Sequence, residues 1–153
     1  MAELRDIIAH ILKTYPTRYD MSNARLTKLV YLSDWRHCLR TNSQISNIKW
    51  FFNNFGPFVW DIKDTAKENP HIFELETTTN MYGDQKTIFI LNSKDYSPRL
   101  SEEEMKSIDH VINETKNLNW DQFIRLVYST FPIASAERYT YIDLIEKAKE
   151  YMS

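Results

Sequence analysis

Asp34, His37 and Cys38 form the densest cluster of reactive side chains in the sequence, at i, i+3 and i+4 of a segment with helical periodicity. A thiol beside an imidazole can serve as nucleophile and base. A carboxylate, an imidazole and a thiolate can also share a metal ion. The spacing argues against both. His37 and Cys38 are adjacent, so on a helix of 3.6 residues per turn their side chains diverge by about 100° and cannot face each other. The other histidines, His10, His71 and His110, show no ligand spacing. Cys38 therefore reads as a small core residue and His37 as a polar group near a helix C-terminus. The run Ser101-Glu102-Glu103-Glu104 has the spacing of a capping box, with three carboxylates placed for the positive end of a helix dipole. That is cap chemistry rather than catalysis or metal binding. No nucleophile elbow, Ser-His-Asp pattern or kinase motif is present. The two glycines, Gly56 and Gly83, cannot build a phosphate loop or a dinucleotide fingerprint. These residues point away from an enzyme, from a cofactor and from a metal.

The aromatic residues are more informative. Trp50, Phe51, Phe52, Phe55, Phe58 and Trp60 fall within eleven residues around Gly56-Pro57. Six rings around one turn exceed what one strand face can bury. Most belong to the core, and one or two are expected at the surface. Exposed aromatic rings are the usual anchors of protein interfaces, so the turn is a candidate docking surface.

The elements that must position these residues are mostly helical. Leu4, Ile7, Ile8, Ile11, Leu12 and Tyr15 repeat at the helical period, which predicts a helix over 2–15 ending before Pro16. Ser22 or Asn23 caps a second helix running to about Arg40. Leu26, Leu29, Val30, Leu32, Trp35, Cys38 and Leu39 cover well over half its circumference, the mark of a central helix. Residues 47–53 suit a strand, followed by a turn in which Gly56 takes φ > 0 and Pro57 can open a helix. A short helix from Val59 to about Glu68 precedes two β-rich runs, Ile72 to Met81 and Thr87 to Leu91, which read as a hairpin. That hairpin is expected to join the 47–53 strand in one small sheet. Further helices are expected over 102–116, capped by Ser101, and over 120–130, capped by Asn119 and terminated by Phe131-Pro132. Thr140 with Asp143 repeats the capping spacing before a last helix, with Tyr141, Leu144, Ile145, Ala148 and Met152 as its buried stripe. The expected class is mainly α: a compact helical domain with a small antiparallel β element, hence α+β.

Composition sets the outer limits. The chain has 153 residues, 42% hydrophobic and 26% charged, enough for a single core and unlike a disordered or coiled-coil chain. One cysteine excludes an internal disulfide and suits a reducing cytosol. The charged N-terminus does not read as a signal peptide, and no apolar run reaches eighteen residues. A soluble cytoplasmic domain spanning 1–153, without membrane contact, is the expectation. The net charge of −2 argues against a dedicated DNA binder. Its distribution is uneven, at +3 over residues 1–69 and −5 over 70–153. Within 5–49, Arg5, Lys13, Arg18, Arg25, Lys28, Arg36, Arg40 and Lys49 face only Asp6, Asp20 and Asp34. A phosphate backbone or an acidic partner would suit that excess; the solvated sides of two helices explain it as well. A winged-helix reading, with 72–91 as the wing, is opposed by Glu74, Glu76 and Asp84 against a lone Lys86.

Two segments carry a resemblance. Leu26-Thr27-Lys28-Leu29-Val30-Tyr31-Leu32-Ser33-Asp34-Trp35-Arg36-His37 resembles the "LxKLLYxxxxxH" helix of the Panacea, or SocA-type, antitoxin domain. Trp50-Phe51-Phe52-Asn53-Asn54-Phe55-Gly56-Pro57-Phe58-Val59 is similar to that family's aromatic stretch before its "YGP" turn, with Phe55 in place of the tyrosine. The matching positions are Leu26, Lys28, Leu29, Val30, Tyr31, His37, Gly56 and Pro57. The resemblance implies a mostly helical bacterial or phage domain that neutralises a cognate protein toxin by direct contact. At least one such antitoxin is thought to act as an adaptor that hands its toxin to protease machinery. Leu29 and Val30 are assigned to the core and Gly56-Pro57 to the turn. Lys28, Tyr31, Asp34 and Trp35 can serve either the core or the toxin, and with Phe55, Phe58 and Trp60 they make up the candidate toxin-binding set. The rival readings are a DNA-binding transcriptional regulator and a phage-encoded interaction protein that acts on a host defence factor.

Overall fold

A computed structural model describes residues 1–16 and 21–153. Arg18 and Asp20, counted in the N-terminal charge excess, lie outside the described residues. Among the described residues the elements are α1 (Leu4–Thr14), α2 (Asn23–Thr41), β1 (Trp50–Asn53), β2 (Gly56–Phe58), α3 (Asp61–Glu68), β3 (Phe73–Thr79), β4 (Gln85–Leu91), α4 (Glu102–Thr115), α5 (Trp120–Ser129), α6 (Phe131–Ala134), β5 (Thr140–Ile142) and α7 (Leu144–Met152). The fold is mainly helical α+β, with two small antiparallel sheets.

The helices begin where the side chains supply caps. The Ser22 hydroxyl accepts from the Arg25 amide at 3.1 Å, and Asn42 closes α2 in the left-handed conformation at φ 59°. Ser101 with Glu104 and Asn119 with Gln122 form complete capping boxes at the starts of α4 and α5. Helix α2 is the centre of the molecule. It packs against α1, α3, α4 and α7 and against β2 and β4, and the side chains from Leu26 through Trp35 are all buried.

The strands depart from expectation. Residues 47–53 and the hairpin do not share a sheet: β1 lies between β2 and β5, in the order β2-β1-β5, while β3 pairs only with β4. With both edges of β1 taken, β1 itself has no edge left for the hairpin. Pro57 opens no helix. It lies in β2 opposite Phe52, because the chain folds back over Asn54-Phe55. Gly56, at φ 94°, makes that reversal and passes against the Tyr128 ring. The Thr140–Asp143 spacing is also not a single cap. Asp143 caps α7, accepting from the Glu146 amide at 3.1 Å, and Thr140 to Ile142 form β5 instead. The expected buried stripe of α7 reduces to Leu144 and Ala148 with Ile145 half-buried; Tyr141 and Met152 are exposed. Phe131-Pro132 ends α5 as expected, but these residues then start the one-turn α6, where proline's fixed φ suits the first turn.

Candidate docking surface

Strand alternation sorts the aromatic residues of β1. Trp50 and Phe52 point into the core and are buried, while Phe51 and Asn53 point outward and are half-buried. Phe51 lies opposite Phe58 of β2 on one side and opposite Tyr141 of β5 on the other. One row of rings therefore crosses all three strands. The Phe51 and Tyr141 rings meet edge to face at 5.1 Å, and Phe58 meets Trp60 the same way at 5.0 Å. Together with Lys49 and Asp61 they line an open groove of about 640 Å³. Phe55, Trp60 and Tyr141 are 73%, 63% and 74% exposed. Rings so uncovered are a poor use of apolar surface in an isolated chain and a good anchor for a partner.

The reverse face of the sheet is held rigidly. Asp34 is fully buried on α2, and its carboxylate receives five hydrogen bonds. Oδ1 accepts from the Ile45 and Ser46 amides at 3.0 Å each; Oδ2 accepts from Ser46 Oγ at 2.5 Å, Trp50 Nε1 at 2.9 Å and Gln44 Nε2 at 3.3 Å. Burial pushes this carboxyl above its ordinary range, and the donors from Ser46, Trp50 and Ile45 oppose that push. Tyr31 packs edge to face on Trp50 at 5.6 Å, and its hydroxyl meets Thr130 Oγ1 at 2.8 Å. Through Asp34 and Tyr31, α2 fixes the loop before β1 and the indole beneath it.

The seven candidate residues thus divide. Phe55, Phe58 and Trp60 stand at or beside the outward face, whereas Lys28, Tyr31, Asp34 and Trp35 are buried in α2. Trp35 packs against Tyr151 of α7 at 6.0 Å. Lys28 makes no hydrogen bond or ion pair with the described residues, and burial lowers its ammonium pKa to about 8. Phe51 and Tyr141, absent from the candidate set, complete the ring row. Period-2 alternation with Trp50 and Phe52 would have placed Phe51 outward. Tyr141 offered no such local signal, since its partner strand is ninety residues away.

The Asp34-His37-Cys38 turn is engaged in the interior. His37 Nδ1 meets Ser107 Oγ at 2.8 Å, and burial pushes the Cys38 thiol up to about 12. Among the described residues no three His, Cys, Asp or Glu side chains converge to hold a metal ion. Nor is any helix among them long and apolar enough to cross a membrane.

The family model of the antitoxin SocA-like, Panacea domain matches residues 26–131, just over two thirds of the chain. The chain belongs to this family. No curated protein and no solved structure matches it. The matched residues of this Panacea domain run from the first turn of α2 to the start of α6, so they include Phe51, Phe58 and Trp60 of the ring row. Tyr141 and all of β5 and α7 lie beyond them, yet β5 is one of the two strands that flank β1.

Proposed function

We propose that this Panacea-domain chain is an antitoxin that neutralises a cognate protein toxin by direct binding, with the outer face of the β2-β1-β5 sheet as the docking surface. It acts without catalysis or cofactor, as one cytoplasmic domain over residues 1–153. The observation that carries the reading is the ring row Phe58-Phe51-Tyr141 with Trp60, left open on a sheet whose other face is locked to α2. A rigid, apolar, partly exposed surface supplies binding energy at small ordering cost. A stable complex buries roughly 800 Å² per partner, and the groove is suited to be the centre of such a patch.

The single-domain reading is supported by elements outside the family match, which complete the core instead of hanging from it. β5 closes the sheet, and α1 and α7 pack on α2. The rival reading, a DNA-binding regulator, is disfavoured by where the N-terminal cations go. Arg25 lies over the Trp120 and Phe123 rings at 5.4 and 5.1 Å. Arg40 pairs with Glu103 and Ser107, Lys13 donates to the Tyr96 carbonyl, and Lys28 is buried. Few of the described N-terminal cations remain for a phosphate backbone.

The test is co-expression with the product of the adjacent reading frame. If that product alone arrests growth, this chain is expected to restore growth and to co-elute with it at fixed stoichiometry. A stable toxin level during rescue marks occlusion, and a falling level marks delivery to proteolysis. A harmless neighbour with no co-elution overturns the reading and brings forward the DNA-binding and phage-protein alternatives.

A further inference from the structure

We infer that the toxin segment seated in the ring groove is an extended strand that pairs with the outer edge of β5 and makes the sheet four-stranded. The inference rests on the docking reading above and names the kind of segment that docks.

The backbone of the sheet indicates which edge is available. In an antiparallel pair, facing residues alternate between those that exchange both backbone hydrogen bonds and those that exchange none. Pro57 has no N–H and lies opposite Phe52, so Phe52 and Pro57 are a pair of the second kind. Phe52 therefore turns its backbone groups toward β5, and the Tyr139 amide donates to the Phe52 carbonyl at 2.5 Å. Phe51, one residue earlier, turns its groups toward β2. Across from Phe51 on the other side, Tyr141 is then left with its own N–H and C=O directed away from β1, at the free edge of the sheet. No backbone bond to Tyr141 from outside the sheet is present among the described residues. Thr140, Tyr141 and Asp143 are all exposed along that edge.

The two edges of the sheet are not equivalent. β2 presents proline, which has no donor to offer an added strand. β5 is Thr-Tyr-Ile, three β-forming residues with no proline or lysine to discourage pairing. Its one protection is its length. Three residues give an added strand too few hydrogen bonds to hold alone, which disfavours pairing with arbitrary strands. A partner also needs a side chain for the groove. A residue opposite Tyr141 would project onto the same face as Tyr141, Phe51 and Phe58 and extend that row by one strand spacing of about 4.8 Å. The occupant is accordingly an uncharged extended segment whose central residue is apolar or aromatic, flanked by residues facing the opposite side. Main-chain pairing with a pocket for alternate side chains is a recurring mode of peptide recognition.

The experiment is amide hydrogen exchange by NMR on the full chain, free and bound to the toxin captured by co-expression. In the free chain the Tyr141 amide is expected to exchange rapidly. In the complex it should slow by at least about tenfold, while the Trp60 indole N–H resonance shifts as its ring is covered. A complex that covers Trp60 but leaves the Tyr141 amide unchanged overturns strand addition and leaves the docking reading intact. Absence of any complex removes both. Protection of Tyr141 in the free chain also overturns it: if it grows with chain concentration, a second copy occupies the edge; if it is present at all concentrations, the edge is already covered. Two variants separate ring from backbone. Tyr141→Ala removes the ring alone, and Tyr141→Pro removes the ring and the outward N–H. With native circular dichroism in both, the proline variant is expected to bind about fivefold more weakly than the alanine variant, the range of one net hydrogen bond. Equal affinities would contradict the pairing.

Discussion

Asp34 receives five hydrogen bonds in a site without solvent, and nothing in the described structure pairs its charge. Its value to the fold lies in acceptor geometry: four of its donors come from residues 44–46 and one from the Trp50 indole. Asp34→Asn puts an amide N–H where one carboxylate oxygen accepts, so donor meets donor. The expected cost is about 3 kcal/mol, read by denaturant unfolding. An unchanged midpoint would mean that these bonds do not hold the loop. Lys28 is the opposite case, a buried ammonium without a partner among the described residues. The unfolded chain keeps this proton to about pH 10.5, while the folded chain releases it near 8. Between those values the unfolded state binds more protons, so stability rises with pH, and below about 8 the full penalty remains. Lys28→Met is expected to stabilise the protein at pH 7 by about 2–3 kcal/mol. Its advantage should shrink as the pH rises from 8 to 10.5. A constant difference across that range would show that Lys28 is not desolvated. Neither residue's burial was legible from type and spacing, because a charged residue on a helix is ordinarily solvated.

The helices of this fold advertise themselves and the strands do not. Ser22, Ser101 with Glu104, and Asn119 with Gln122 cap the helices they precede, and the apolar repeat of α2 foretold its central place. These are local signals, confined to one or two turns. The β3–β4 hairpin was legible for the same reason, since its turn and strands are contiguous. β2 and β5 have three residues each, too few for a period, and the partner of β5 is remote. The local spacing therefore points Tyr141 into a buried helical stripe, whereas its ring is among the most exposed. The candidate site was half visible: Phe55, Phe58 and Trp60 follow from the ring cluster, whereas completing the row required the sheet order. Strand β5 also makes a prediction for its element. Truncating the chain after Arg138 removes the strand beside β1 and the helix that covers Trp35. The shortened protein is expected to lose cooperative thermal unfolding although the family-matched residues 26–131 are all retained. A truncated chain that melts as sharply as the full one would show β5 and α7 to be accessory.

At the scale of the molecule, the fold divides its labour between two faces of one sheet. Toward the interior, α2 clamps Trp50 through Asp34 and Tyr31; toward solvent, the same three strands carry the ring row. The chain belongs to the SocA-like, Panacea antitoxin family, and the toxin docking proposed above would be a reason to keep such a surface uncovered. The most direct measurement is calorimetric titration of the co-purified toxin with the intact chain and with the double variant Trp60→Ala/Tyr141→Ala. Both side chains are largely exposed, so the variant should retain the thermal midpoint of the intact chain to within a few degrees. If the ring row is the docking surface, its affinity should fall at least about a hundredfold, the combined loss of two aromatic anchors. A folded double variant that binds the toxin as tightly as the intact chain would place the docking surface elsewhere on the molecule.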